Sequence, residues 1–134
     1  MGDGSLGPSL IVCPASLVYN WGAEFTKFAP SFNAVVVAGT KAERRTAIGR
    51  AFRADEPTVL ITSYDLLRRD VDDYTANEQR FNVMALDEAQ YIKNHTTKIA
   101  KAVKAVAADH RFALTGTPIE NRLSELWSIF DFLM

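Results

Sequence analysis

Two adjacent carboxylates, Asp87 and Glu88, follow directly on the apolar run Phe81 to Leu86, in Leu86-Asp87-Glu88-Ala89-Gln90. A strand that delivers paired carboxylates to a sheet edge suits metal-assisted hydrolysis. One carboxylate can hold Mg²⁺, directly or through water, because Mg²⁺ takes oxygen ligands and keeps several waters. Its neighbour can orient or deprotonate an attacking water. The same pair also suits the positive N-terminal end of a following helix, so alone it does not separate the two roles.

Hydroxyl groups cluster after three other apolar runs. Pro14-Ala15-Ser16 follows Leu10 to Val12. A helix opening at Ser16 would offer free N–H groups to a phosphate, or Ser16 would simply cap it. Thr62-Ser63-Tyr64-Asp65 follows Thr58 to Ile61, with hydroxyls able to reach a phosphodiester or to cap the next helix. Leu114-Thr115-Gly116-Thr117-Pro118 follows Arg111 to Leu114. There Gly116 permits close backbone approach and two threonine hydroxyls can bond across it, or the segment is a plain turn.

The elements that must position these groups alternate in type. Strands are expected at Leu10–Val12, Ala34–Val37, Thr58–Ile61, Phe81–Leu86 and Arg111–Leu114. Helical spacing of apolar residues predicts helices from Ser16, with Trp21 and Phe25 inward, over Lys41–Arg53, around Tyr64–Arg69, over Thr96–Ala107 and over Ser124–Met134. The acidic stretch Asp70–Asn77 reads as a loop with room for a helical turn. Such alternation predicts an α/β fold, a mostly parallel sheet with helices on both faces. Sites in such sheets gather at the C-terminal ends of the strands, where all the segments above lie.

Composition narrows the class. The 134 residues amount to one domain, with 15 basic and 16 acidic residues and a net charge of -1. Nothing in that balance advertises nucleic-acid binding, so such contacts must be local. Lys41, Arg44, Arg45, Arg50 and Arg53 on one helix, and Lys98, Lys101 and Lys104 on another, read as solvated faces. The single cysteine, Cys13, points to a reducing, intracellular setting. His95 and His110 lack a partner at ligand spacing, so no zinc site is expected. The longest apolar run is Ala34–Ala38, far short of a membrane span. Residues 1–9 read as a frayed, disordered end.

In this order and spacing, the segments resemble the Swi/Snf-type branch of the superfamily-two helicase-like ATPases. The stretch from Leu10 to Trp21 looks like motif Ia, Ile61–Asp65 like motif Ib, and Leu86–Gln90 like motif II, the Walker B box. Leu114–Pro118, with Ile119-Glu120-Asn121 and Glu125-Leu126-Trp127, looks like motif III and its extension. The resemblance covers Pro8 to Met134. It implies a truncated RecA-like (P-loop NTPase) domain, residues 10–134 being part of a first lobe. It implies ATP and Mg²⁺ as cofactors of the complete protein, duplex DNA as partner, and a second RecA-like lobe in the same chain.

Carried over by position, Asp87 serves Mg²⁺ and Glu88 the hydrolytic water. Gln90, Thr115, Gly116 and Thr117 couple motifs, nucleotide site and second lobe. Pro14, Ser16, Gly39, Ser63, Tyr64, Lys93 and Asn94 sit where the family touches the DNA backbone. Trp21 aligns with a family tryptophan, although its helical phase makes it core. Gln90 stands where a histidine is commoner.

No G-x-x-x-x-G-K-[ST] occurs in these residues, and Gly39-Thr40-Lys41 is only a partial approach. Without that loop there is no cradle or lysine for the β- and γ-phosphates. The chain is therefore expected to be an excised piece of the lobe, inactive alone and holding no tightly bound cofactor. The alternative is a non-catalytic RecA-like module for DNA or protein contacts. A flavodoxin-like or dinucleotide-binding domain fails on the missing G-x-G-x-x-G after the first strand. A strand carrying the phosphate loop would lie beside Val83–Leu86 and Phe112–Leu114, so unpaired edges there should promote self-association or a rearranged N-terminus. A bacterial cytoplasm or nucleoid is the expected setting, with a nucleus as the alternative, and no membrane partner is expected.

Overall fold

The computed structural model describes residues 7–92, 97–114 and 118–133. Strands β1 (Ser9–Cys13), β2 (Asn33–Val36), β3 (Thr58–Ser63), β4 (Phe81–Asp87) and β5 (Ala108–Leu114) form one sheet in the order β2-β3-β1-β4-β5. Every pairing is parallel. Because β1, β3 and β4 are wholly buried, they read as continuous apolar runs rather than alternating ones.

Alternate residues divide the core between the two faces. Leu10, Val12, Leu60, Met84 and Leu86 pack on one side. They lie under α2 (Lys41–Arg53), α3 (Tyr64–Arg69), α4 (Val71–Thr75) and α5 (Lys98–Ala105) through Ile48, Leu67, Tyr74 and Val103. Ile11, Cys13, Val59, Ile61, Val83 and Ala85 face the other way. There α1 (Val18–Phe28) and α6 (Ile119–Leu133) cover them with Trp21, Phe25, Leu123, Leu126 and Phe130. Among the described residues no helix is long and apolar enough to cross a membrane.

Several expectations change. β1 starts at Ser9, inside the supposed frayed end, because the Pro8 carbonyl accepts from the Asn82 N–H at 2.8 Å. Ser16 does not cap α1. The Leu17 N–H reaches back to the Pro14 carbonyl at 2.9 Å, closing a 3-10 turn over Ala15–Leu17, and α1 begins at Val18 without a side-chain cap. The acidic "loop" contains α4, and both Asp70 and Tyr74 are fully buried. α6 starts at Ile119 rather than Ser124, since a proline suits a helix entrance and Glu120 suits its positive end. Val83–Leu86 is not an edge: β4 is paired with β1 on one side and β5 on the other. Among the described residues the edge on that side is β5, where His110, Arg111 and Ala113 are exposed.

Lys41, Arg45, Arg50 and Arg53 are exposed on α2 as expected, but Arg44 is buried and an ion network joins it with Lys41 and Arg45 to α4. Arg44 grips Asp70 with two nitrogens, at 2.8 and 3.0 Å, while Lys41 meets Asp70 and Asp73 at 2.7 Å each. Arg45 reaches Asp73 at 3.2 Å. Burial alone would raise the Asp70 carboxyl, but hydrogen bonds and charge from Arg44 and Lys41 outweigh it and hold it below the usual carboxylate range. A capping box between Thr40 and Glu43 starts α2. Lys98, Lys101 and Lys104 are exposed along α5.

Candidate functional site: a buried carboxylate corner at the strand ends

The strand register brings the sequence segments together. Cys13 lies opposite Ser63, and Asp87 opposite Leu114, so the strands end together on one side of the sheet. Gly39, in the left-handed region at φ 93°, turns the chain between β2 and α2 on the same side. Its carbonyl accepts from Arg44 at 2.9 Å, which ties that turn to the Asp70 network.

Asp87 ends β4 with no exposure at all. The Trp21 indole N–H donates to Oδ2 at 2.9 Å, so Trp21 is core, as its helical phase predicts, and also a partner of the carboxylate. The Tyr64 hydroxyl donates to the Asp87 backbone carbonyl at 2.8 Å. Arg122, in the first turn of α6, brings its Nε to 3.1 Å from Oδ1. That N–H is not aimed at the oxygen, so Oδ1 and Nε face each other as charges without a hydrogen bond. Burial, joined by the Glu88 charge, pushes the Asp87 carboxyl up, against the Trp21 hydrogen bond, the Arg122 charge and the Glu88 backbone N–H, which pull it down.

Glu88 follows at φ 55°, an uncommon conformation for a residue with a side chain. Backbone strain of this kind clusters at functional sites. The turn carries the Glu88 carboxylate off the strand line, with its side chain one-third exposed (33%). Its Oε1 accepts from Gln90 Nε2 at 2.7 Å, and its Oε2 meets Arg122 Nη1 at 3.4 Å. One guanidinium thus faces both carboxylates. Beside them, burial and then the Asp87 charge push the Cys13 thiol up to about 12.

The remaining sequence candidates divide by exposure. Pro14 is half-buried, while Ser16 and Gly39 are exposed at the strand ends. Ser63 and Tyr64 are buried, Ser63 capping α3 by accepting from the Leu66 N–H at 3.1 Å. Lys93 and Asn94, and Thr115, Gly116 and Thr117, lie outside the described residues. Sequence reasoning missed Arg122 altogether. Its signal was a cation in a first helical turn, where the helix dipole disfavours it, which calls for an anionic partner.

Comparison with known proteins follows the same segments. The description of an SNF2-related domain matches residues 3–134. The chain is 47% identical over 127 residues to the TATA-binding protein-associated factor MOT1 of Saccharomyces cerevisiae, covering 95% of this chain and 6% of that protein. It is 48% identical over 127 residues to an uncharacterised ATP-dependent helicase of Mycoplasma pneumoniae, covering 95% of this chain and 12% of that one. Among solved structures, the Sulfolobus solfataricus SWI2/SNF2 ATPase core in complex with dsDNA superposes with a TM-score of 0.67 at 39% identity. That match covers 96% of this chain and 25% of the other. The chain therefore spans a small part of the length of these relatives.

Proposed function

This chain belongs to the SNF2-related domain family, with the RecA-like fold of a SWI2/SNF2 ATPase core, and on that footing we propose that it supplies the hydrolytic carboxylates of a DNA-dependent ATPase that moves along duplex DNA. The observation that carries the reading is the corner at Asp87 and Glu88. A fully buried carboxylate keeps one oxygen without a hydrogen-bond donor among the described residues, beside a strained residue that presents a second carboxylate.

These residues fit a Mg²⁺ ion. Asp87 would hold it, since Oδ1 lacks a donor among the described residues and Mg²⁺ takes oxygen ligands while keeping several waters. Bound there, the ion supplies neutralisation of charge on the transferring phosphoryl group. Glu88 would orient the attacking water and take its proton. Trp21 and the Tyr64 hydroxyl fix the Asp87 side chain and backbone in place. Gln90, Thr115, Gly116 and Thr117 are assigned to coupling between the site, the DNA and a second RecA-like lobe.

Pro14, Ser16, Gly39, Lys93 and Asn94 are assigned to contacts with the phosphodiester backbone. Ser63 and Tyr64, being buried, would shape that surface from beneath. The phosphate-gripping loop and the second lobe are assigned to the rest of the protein. The 134 residues alone are accordingly expected to turn over no ATP and to hold no cofactor tightly. The setting we assign is intracellular, wherever duplex DNA lies, a bacterial nucleoid first and a nucleus second.

The test is DNA-stimulated phosphate release by the complete protein, wild type against Glu88→Gln. We expect release to fall by roughly 10²–10⁴-fold with duplex binding retained, the range typical for a lost general base. Wild-type turnover by the variant would end the reading. A wild-type protein that binds duplex DNA but releases no phosphate would leave the binding-module alternative.

A further inference from the structure

We propose that Arg122 is the resident counter-cation of the Asp87–Glu88 pair, and that a divalent cation must displace it to bind Asp87. The proposal rests on reading Asp87 as the carboxylate that takes the cation. It names a positioning residue that the family motifs quoted above do not include.

Three observations support it. First, Asp87 has one oxygen to spare. Oδ2 is taken by Trp21, and among the described residues Oδ1 has no hydrogen-bond donor in line but faces Arg122 Nε at 3.1 Å. A Mg²⁺ ion bonds a carboxylate oxygen at about 2.0–2.1 Å, so ion and guanidinium would compete for the same side of Oδ1. Like charges that close, shielded from water, repel strongly.

Second, the arginine is held toward Asp87 by charge alone, its one hydrogen bond to the pair being the long one from Nη1 to Glu88. Its side chain is 8% exposed, its Nε has no acceptor in line, and Nη1 lies 3.4 Å from Glu88 Oε2. A poorly aligned ion pair is easier to exchange than a bidentate fork such as the one Arg44 makes with Asp70.

Third, Arg122 stands in the first turn of α6, on the wrong end of the helix dipole for a cation. Packing fixes the helix through Leu123, Leu126 and Phe130, so the guanidinium stays near the carboxylates without needing an ideal bond. Exchange of one cation for another then changes the charge that α6 feels at its entrance. Occupancy of the strand end is in this way reported to the helix.

The experiment is Mn²⁺ binding to the 134-residue chain, followed by electron paramagnetic resonance of the free ion. We compare wild type, Arg122→Gln, Arg122→Lys, and Arg122→Gln combined with Asp87→Asn. Removing the competitor should tighten Mn²⁺ binding by about tenfold or more, the equivalent of about 1.4 kcal/mol. Arg122→Lys, which keeps the charge, should restore weak binding. Asp87→Asn should abolish the gain.

Equal affinity in wild type and Arg122→Gln, lost with Asp87→Asn, would overturn the counter-cation role and leave the cation reading of Asp87 standing. No binding to any of these proteins would overturn both. Should Arg122→Gln not fold, the Arg122 Nε–H resonance of the wild type decides. A shift that tracks added Mg²⁺ supports displacement, and an unmoved resonance overturns it.

Discussion

Asp70 and Asp87 are both fully buried carboxylates, yet they are built for opposite ends. Asp70 is saturated by Arg44 and Lys41, whereas Asp87 keeps an oxygen without a donor among the described residues. The folded Asp70 carboxyl is held below its unfolded value, so it contributes stability above the unfolded pKa, about 3.9. That contribution is lost as pH falls through the lower, folded value. Replacing Asp70 with Asn should therefore flatten the acid side of the stability profile, measured by urea midpoints from neutral to acid pH. Arg44→Ala at neutral pH leaves that carboxylate with Lys41 alone and should cost about 3 kcal/mol in the same assay. Tyr64→Phe removes the hydroxyl that donates to the Asp87 carbonyl. It should cost about 1–2 kcal/mol while leaving circular dichroism unchanged, and a neutral outcome would mean that water replaces the hydroxyl.

At the scale of elements, strands and helices were legible wherever apolar period decides. Val59, Leu60 and Ile61 announce β3, and Trp21 and Phe25 announce the inward face of α1. α4 was not legible, because Asp70, Asp72 and Asp73 look like a solvated turn until α2, distant in sequence, supplies the cations. Arg122 escaped for the same reason: a long-range ion pair leaves no periodic trace. The carboxylates themselves were legible from their place after an apolar run, but their geometry was not. Where α6 meets α1 and the turn after it, packing is aromatic. Phe130 stacks on Phe32 at 5.4 Å and meets Phe25 edge-on at 6.3 Å. Phe130→Ala should cost about 3–5 kcal/mol, and with α6 loosened Arg122 should lose its hold on Glu88. Urea unfolding measures the first effect, and a changed Arg122 Nε–H resonance the second.

The molecule as a whole presents an incomplete surface on one side. Among the described residues β5 pairs with β4 alone, and His110, Arg111 and Ala113 along it are exposed. An open edge of this kind templates pairing with another strand. We expect the 134-residue chain to self-associate at high micromolar concentration, and Ala113→Lys to reduce that association in sedimentation velocity. A compact monomer at those concentrations would remove this expectation. Duplex DNA binding by the same chain should be weak and fall steeply with added salt, because backbone contacts release counterions and the net charge is -1. Fluorescence anisotropy across a salt series measures the slope, and tight binding indifferent to salt would contradict it.

Cys13 turns the buried corner into a clock. Its thiol is wholly covered, donates to the Thr62 carbonyl at 3.8 Å, and is pushed by burial up to about 12. Thiolate, the reactive form, is almost absent at neutral pH in the closed state. An alkylating reagent can therefore modify Cys13 only in molecules that have transiently parted there. The alkylation rate under native conditions reads the free energy of that local opening, with no substitution needed in the protein.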